Sequence, residues 1–420
     1  MDALTATLAT TAGCLVGLVA GLVPGLHVNT VCAIALSFAP GLGPTLAVGL
    51  CSMTVAHGFA SQIPSTYLGA PGEDTLLSAL PAHRMLLDGH GADAVQASLN
   101  GALGGLVLAI VLLLPYKWVL GEPGQLLAAL DESMPWVLGG ILLFLLAREL
   151  PKGTQAVAWA AAILALAGAL GLAAGKLTVA GLFDVPASPL LPLLSGLFGA
   201  PALLDTLRSR PFVPDQEPAN RPPLGVRRRS RWGVVSGVLA AAMTSVLPGM
   251  TSAVAAAAAR AGAREERDPR PVLATLAAIA LAQVVLAFAV LWLSLRARSG
   301  LAAAVQQAWP VQAWTIGAPP LPLRWLLAAA LVSGILAHVA TGALVRRTSK
   351  WLVAARPGLL AAVALAVLIV VVGVLSGGMG LALFLVAAIV GLVPLASGTG
   401  RIHLTGCLLI PVLAYRLGLA

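Results

Sequence analysis

Apolar blocks recur along the chain at about 96–114, 133–147, 155–175, 271–295, 325–345, 357–376 and 379–395, separated by short polar or basic breaks. Most approach the ~20 apolar residues that cross a bilayer as a helix, and only helices or closed barrels satisfy their own backbone there. A further block, 45–60, runs into a long polar break. The stretch 302–321, with Trp309, Trp314, glutamines and prolines, reads as an interfacial segment. The pattern predicts an all-α polytopic membrane protein of about 10–12 membrane segments, multi-pass in the cell membrane.

Composition agrees. Of 420 residues, 59% are hydrophobic and 10% charged, and mean hydropathy is +0.95. A soluble domain averages about 25% charged residues, so a soluble enzyme, a nucleic-acid-binding domain and a disordered regulator are excluded. The formal net charge is +9. Because the basic residues sit between apolar blocks, they read as cytoplasmic loop charges rather than a nucleic-acid surface. The four cysteines, Cys14, Cys32, Cys51 and Cys407, lie in apolar stretches without CxxC spacing, so neither a disulfide framework nor a zinc site is expected. The opening MDALTATLATTAG lacks a basic n-region, and no signal peptide is expected.

The longest polar break, Leu207 to Trp232, holds Arg208, Arg210, Arg221, Arg227, Arg228, Arg229 and Arg231 among several prolines. It divides the chain into a first transmembrane repeat at 1–206, a basic cytoplasmic linker at 207–231 and a second repeat at 232–420. Two further arginine-bearing stretches, Arg260 to Arg270 and Arg346 to Arg356, read as cytoplasmic loops. No acidic residue follows Asp268, although ten Arg or Lys residues do.

The starts of the two halves align on Pro24-Gly25 and Pro248-Gly249. Small residues then recur at every fourth position: Gly13, Gly17, Gly21 and Gly25 in one, and Gly233, Gly237, Ala241, Ser245 and Gly249 in the other. Such a stripe lets another helix backbone approach closely. Each Pro-Gly is followed by a polar patch, His27-Val28-Asn29-Thr30 or Thr251-Ser252, and then by a shorter apolar helix. We read each copy as a broken, re-entrant helical hairpin. The second is flanked by arginines on both sides and enters from the cytoplasm. The first begins without any basic residue, so the halves are expected to be inverted repeats.

Broken helix ends present unpaired N–H groups and a partial positive charge, which suits a carboxylate or phosphate. Pro24, Gly25, His27, Asn29, Thr30, Pro248, Gly249, Thr251 and Ser252 are therefore candidate substrate-binding residues; plain helix capping by Asn and Thr is the alternative reading. The break after 45–60 carries Ser61, Gln62, Ser65, Thr66, Gly72 and Glu73, candidates for a cavity lining or for ion coupling through hydroxyls, carbonyls and Glu73. The alternative is a surface loop with Glu73 and Asp74 at a helix start. A third cluster, GLVPLASGTGRIHLTGC, adds Ser397, Thr399, Arg401 and His403 as substrate-binding candidates. Arg401 has no acidic neighbour in sequence and requires water, an acid of the first half or an anionic ligand; surface snorkelling is the alternative. His403 is expected to satisfy a backbone carbonyl. No HExxH, GxSxG or P-loop motif occurs, so no enzyme, metal or cofactor is expected, apart from a coupling Na+ or H+.

These clusters resemble the TctA family, the large permease subunit of tripartite tricarboxylate transporters. The similarity rests on Gly21 to Gly25, on Ala70-Pro71-Gly72-Glu73 running through Pro81-Ala82-His83-Arg84-Met85, on the second Pro-Gly, and on Gly406 to Pro411. It covers most of the chain. The resemblance implies a secondary permease for a citrate-like di- or tricarboxylate, coupled to sodium or protons. In the bacterial form a small membrane subunit and an extracytoplasmic binding protein take part. His27-Val28-Asn29 replaces the small residues common at that point in the family, and the chain resembles the stand-alone archaeal branch. The chain also looks like polyprenyl-phosphate carriers with paired Pro-Gly hairpins, which makes an anionic-lipid translocase the alternative.

Overall fold

The computed structural model describes residues 1–23, 28, 31–32, 35–36, 41, 43–68, 76–181, 186–209, 213–217, 224–247, 254–255, 268–315, 317–354 and 357–419, with the backbone alone at 76–80, 186–187, 349–354 and 357. The helices are α1 (Ala3–Gly21), α2 (Gly43–Ala60), α3 (Gln62–Tyr67), α4 (Leu76–Leu87), α5 (Gly91–Val111), α6 (Leu113–Leu120), α7 (Leu126–Ala147) and α8 (Thr154–Gly175). They continue with α9 (Leu190–Leu194), α10 (Ala200–Ser209), α11 (Leu224–Thr244), α12 (Arg270–Ser294), α13 (Gly300–Ala308), α14 (Leu321–Ala354), α15 (Pro357–Ser397) and α16 (Gly406–Arg416). Val179–Ala180 and Pro186–Ala187 make a short antiparallel β pair, β1 and β2.

Nine described helical stretches are long and apolar enough to cross a membrane. One of them, Leu190–Ser209, was not among the blocks read from the sequence, because Pro192, Ser195 and the glycines around Phe198 interrupt its apolar run. A π turn at Ser195–Gly199 carries it through the interruption. The longest, α15, turns back on itself at Gly377, whose φ of 60° is open to glycine at little cost. Gly373 then packs beside Leu381 across the bend.

Two arginine-rich stretches expected to be loops are helical. Arg346 and Arg347 belong to α14, and Arg227 to Arg231 belong to the first turns of α11. Arginine is a good helix former, and the prolines that would break the helix end at Pro223.

Residue-level contacts fix the relative directions of the helices. On α1, Gly13 faces Gly49, Gly17 faces Met53 and Gly21 faces His57, so α1 and α2 run parallel. The start of α2 therefore lies on the same side as the start of α1. On α11, Gly233 faces Pro271 and Thr275, Gly237 faces Thr275 and Ala278, and Gln283 donates to Thr244 Oγ1 at 2.9 Å. Thus α11 and α12 are also parallel. Gly101 and Gly105 of α5 face Ala274 and Ala278, adding α5 to that set. Ser333 of α14 donates to the Ser52 carbonyl at 2.7 Å, and His338 stands edge-on to Phe59, so α14 joins α1 and α2. Against α5 the order reverses: Gly334 meets Leu106, and Gly342 meets Gln96 and Leu99. One set, α1, α2 and α14, runs antiparallel to the other, α11, α12 and α5.

The largest apolar core is shared by α1–α6 and α11–α14, and so by both halves of the chain. Smaller cores join α8, α9 and α10 to α15 and α16. Lipid gives apolar side chains little reason to leave it for one another, so close backbone packing over small residues carries much of the association.

Candidate functional site

The Pro-Gly turns themselves lie outside the described residues, and so do Pro24, Gly25, His27, Asn29, Thr30, Gly72, Glu73, Pro248, Gly249, Thr251 and Ser252. What surrounds them is described. The α1 helix stops with Gly21 beside His57, well along α2. The α11 helix stops where Thr244 meets Gln283, near the middle of α12. Beyond it Tyr116 donates to the Ala242 carbonyl at 2.9 Å, and its hydroxyl meets Ser245 Oγ at 2.6 Å. Arg298 donates to the Val246 carbonyl and, at 2.8 Å, to Asp131 Oδ1, which Arg416 also reaches at 3.4 Å. A helix end leaves its last carbonyls unpaired. Tyr116 and Arg298 supply donors there.

The break after α2 is partly helical. Ser61 and Gln62 both donate to the Gly58 carbonyl, and His83 Nδ1 lies 3.0 Å from the Thr66 carbonyl. Ser65 and Tyr67 are buried, and their hydroxyls have no hydrogen-bond partner among the described residues. In the third cluster, Ser397 Oγ donates to the Val393 carbonyl at 2.9 Å and lies within hydrogen-bond distance of Thr399 Oγ1, also at 2.9 Å. These bonds finish the end of α15.

The acid missing near Arg401 in sequence comes from the first half. Arg401 lies 3.9 Å from Asp205 on α10, a long pair whose carboxylate is half exposed. The expectation for His403 also changes. Its Nε2 meets Glu149 Oε1 at 3.2 Å rather than a backbone carbonyl, and it is fully buried. Lys152 holds the other Glu149 oxygen at 2.8 Å. The 3₁₀ turn Arg401–Thr405 is thereby pinned to the connection between α7 and α8.

Sequence reading did not single out Glu149, Asp205 or Thr206. Thr206 Oγ1 donates to the Leu68 carbonyl at 2.8 Å, at the point where α3 leads into the stretch with Gly72 and Glu73. Adjacent residues of α10 thus touch both the second and the third cluster. Val254 reaches the same region: it shares an apolar cluster with Ile402, Leu409, Met134, Leu138 and Leu145. One signal was available. The stretch after Asp268, which has no acid, needed counter-charges, and Asp131 and Asp205 supply them to Arg298, Arg416 and Arg401, while Glu149 meets His403.

Compared with known proteins, residues 7–406 match the family model described as the tripartite tricarboxylate transporter TctA family. The chain belongs to the TctA family. It is a multi-pass membrane protein of a transporter family whose name denotes a tripartite system. Among curated proteins it is 26% identical over 199 residues to an uncharacterized protein of Methanocaldococcus jannaschii. The match spans 47% of this chain and about half, 47%, of that relative. No solved structure matches.

Proposed function

We propose that this TctA-family chain is a secondary permease for an organic anion of the di- or tricarboxylate class, built from two inverted repeats. The opposed directions of α1–α2 and α11–α12 support the repeat: each pair places a glycine-faced helix ahead of a Pro-Gly turn. The observation that carries the anion site is the junction at α10. There Arg401, held by an acid 3.9 Å away and only 20% exposed, stands near the α3 end and the cluster containing Val254. A guanidinium with a loosely held acid partner can exchange it for a bidentate carboxylate. In this reading His403 and Glu149 position the turn that carries Arg401. Thr399 and the N–H groups of the Pro-Gly turns complete the anion's contacts.

Coupling to Na+ or H+ is assigned to the break after α2. The buried Ser65 and Tyr67 hydroxyls there support a site completed by Glu73. The small membrane subunit and extracytoplasmic binding protein of tripartite systems are partners in the same reading. The polyprenyl-phosphate alternative draws no support from the family match.

The test is thermal unfolding of the purified chain with a tricarboxylate, a dicarboxylate and a polyprenyl phosphate, each with and without sodium. The proposal expects stabilisation by a carboxylate, deepened by sodium and lost in Arg401→Gln. Stabilisation by the polyprenyl phosphate alone, or an undiminished carboxylate response in Arg401→Gln, would overturn it.

A further inference from the structure

A cavity of about 450 Å³ opens between α5, α11 and α12, at the end of the helix set that carries the arginines. Its mouth is polar, with Arg227, Ser230 and Arg231 from α11, Asp93, Gln96 and Asn100 from α5, and Arg270 from α12. Its inner wall is small and apolar: Ala97, Gly101, Gly104, Val234 and Ala274. Because α5, α11 and α12 are parallel, these arginines share one membrane face. The arginine excess assigns that face to the cytoplasm.

The charges in the mouth are unequally matched. Arg270 is held by Asp268, with Nη2 to Oδ2 at 2.5 Å, and Asp93 lies 3.9 Å away. Burial works against the Asp268 carboxylate, but its hydrogen bonds from Arg270 outweigh this and leave its pKa below the ordinary value. Arg227 and Arg231 are exposed, one helical turn apart, and have no ion-pair partner among the described residues. The cavity also has a lateral side. Asn100, Val107 and Val111 form an exposed stripe on α5, and Trp232, Val235 and Leu239 are exposed on α11. A soluble anion needs no such flank. An amphiphile with an anionic head and an apolar tail uses both the mouth and the flank.

We propose that this cavity binds an anionic phospholipid of the inner leaflet. Its phosphate lies on Arg227 and Arg231, and its glycerol region lies against Gln96, Asn100 and Ser230. One acyl chain follows the exposed stripe between α5 and α11. Basic pockets between membrane helices on the cytoplasmic side commonly hold such headgroups, at about 1 kcal/mol for each Arg or Lys. The site is separate from the Arg401 junction and stands or falls independently of the transport reading.

The test titrates the purified full chain in a neutral detergent with phosphatidylglycerol, with phosphatidylcholine of the same acyl chains, and with glycerol phosphate, and reads the thermal midpoint. Phosphatidylglycerol should raise the midpoint, and the other two should not. Arg227→Gln combined with Arg231→Gln should weaken the apparent affinity about 30-fold. Arg228→Gln combined with Arg229→Gln removes two exposed arginines of the same helix outside the cavity and should leave the response intact. Asn100→Trp, at the exposed lateral edge, should block the response while the protein without lipid keeps its midpoint. An equal response to glycerol phosphate would assign the cavity to a free anion and overturn the lipid. Equal losses in the two arginine pairs would reduce the effect to general surface charge and overturn the site.

Discussion

Helices α1 and α2 meet almost entirely through small residues, with Gly13, Gly17 and Gly21 against the backbone of Gly49, Met53 and His57. Helices α11 and α12 begin the same way, with Gly233 and Gly237, and then change to side chains, Thr244 with Gln283. The ends differ more. The α1 helix starts at Asp2, which accepts from the Thr5 N–H at 2.8 Å, and carries no cation. The α11 helix starts through Arg227, Arg228, Arg229 and Arg231. One packing solution has thus been used in two opposite directions. The shared small-residue face sets how the helices touch, and in the proposed inverted repeat the charge at the entry sets which side of the membrane each begins on.

The comparison can be broken most severely at its tightest contact. A β-carbon at Gly13 would overlap the Gly49 carbonyl oxygen, a backbone atom that cannot step aside. Gly13→Leu should abolish monodisperse folded protein on size exclusion. Gly139→Leu, where nothing lies within 4 Å, should not. At the matching site of the other pair, a β-carbon at Gly237 would lie 2.7 Å from the Thr275 oxygen. Gly237→Ala should cost about 1–3 kcal/mol by thermal unfolding.

Next is Arg298, whose side chain is 5% exposed. Its replacement by Gln leaves Asp131 with Arg416 alone and the Val246 carbonyl without its guanidinium donor. Breaking a buried ion pair costs about 3–5 kcal/mol, and the share taken by Arg416 should keep the loss at the lower end. Among the described residues no arginine contacts the corresponding end of α1, so no change there should reproduce this loss.

A smaller effect is expected from Thr244→Val, which removes the Gln283 bond and should cost about 1 kcal/mol. The smallest concerns Asp205. Its pair with Arg401 is long and half exposed, so Asp205→Asn should change stability by less than about 1 kcal/mol. Carboxylate binding should tighten, because the anion no longer competes with Asp205. Calorimetric binding to the purified variant checks both statements.

The helix content was legible because long apolar runs leave few alternatives. The proposed inverted order is an expectation drawn from two details, the Pro-Gly alignment and the missing cation at the first start. The turn at Gly377 was anticipated as a gap between 376 and 379, since Gly377-Gly378 breaks an otherwise continuous run. Other features were hidden because they depend on partners remote in sequence. Nothing near Arg401 announces Asp205, and nothing near His403 announces Glu149, 254 residues away. The absence of acids after Asp268 stated the need for such partners without naming them. The arginines of α11 were read as linker because charge argues against lipid, yet it does not argue against a helix, and Leu224–Thr244 is one.

The central claim is that α1 and α11 begin on opposite faces of the membrane. The four native cysteines are buried, so single exposed cysteines can be read against a low background. Leu4→Cys and Arg228→Cys place them at the two starts, where Leu4 is 71% exposed and Arg228 is exposed. A membrane-impermeant maleimide applied to intact cells should label the cysteine at position 4 and spare that at 228, and inverted vesicles should reverse the result. Labelling of both positions from the same side would contradict the inverted arrangement.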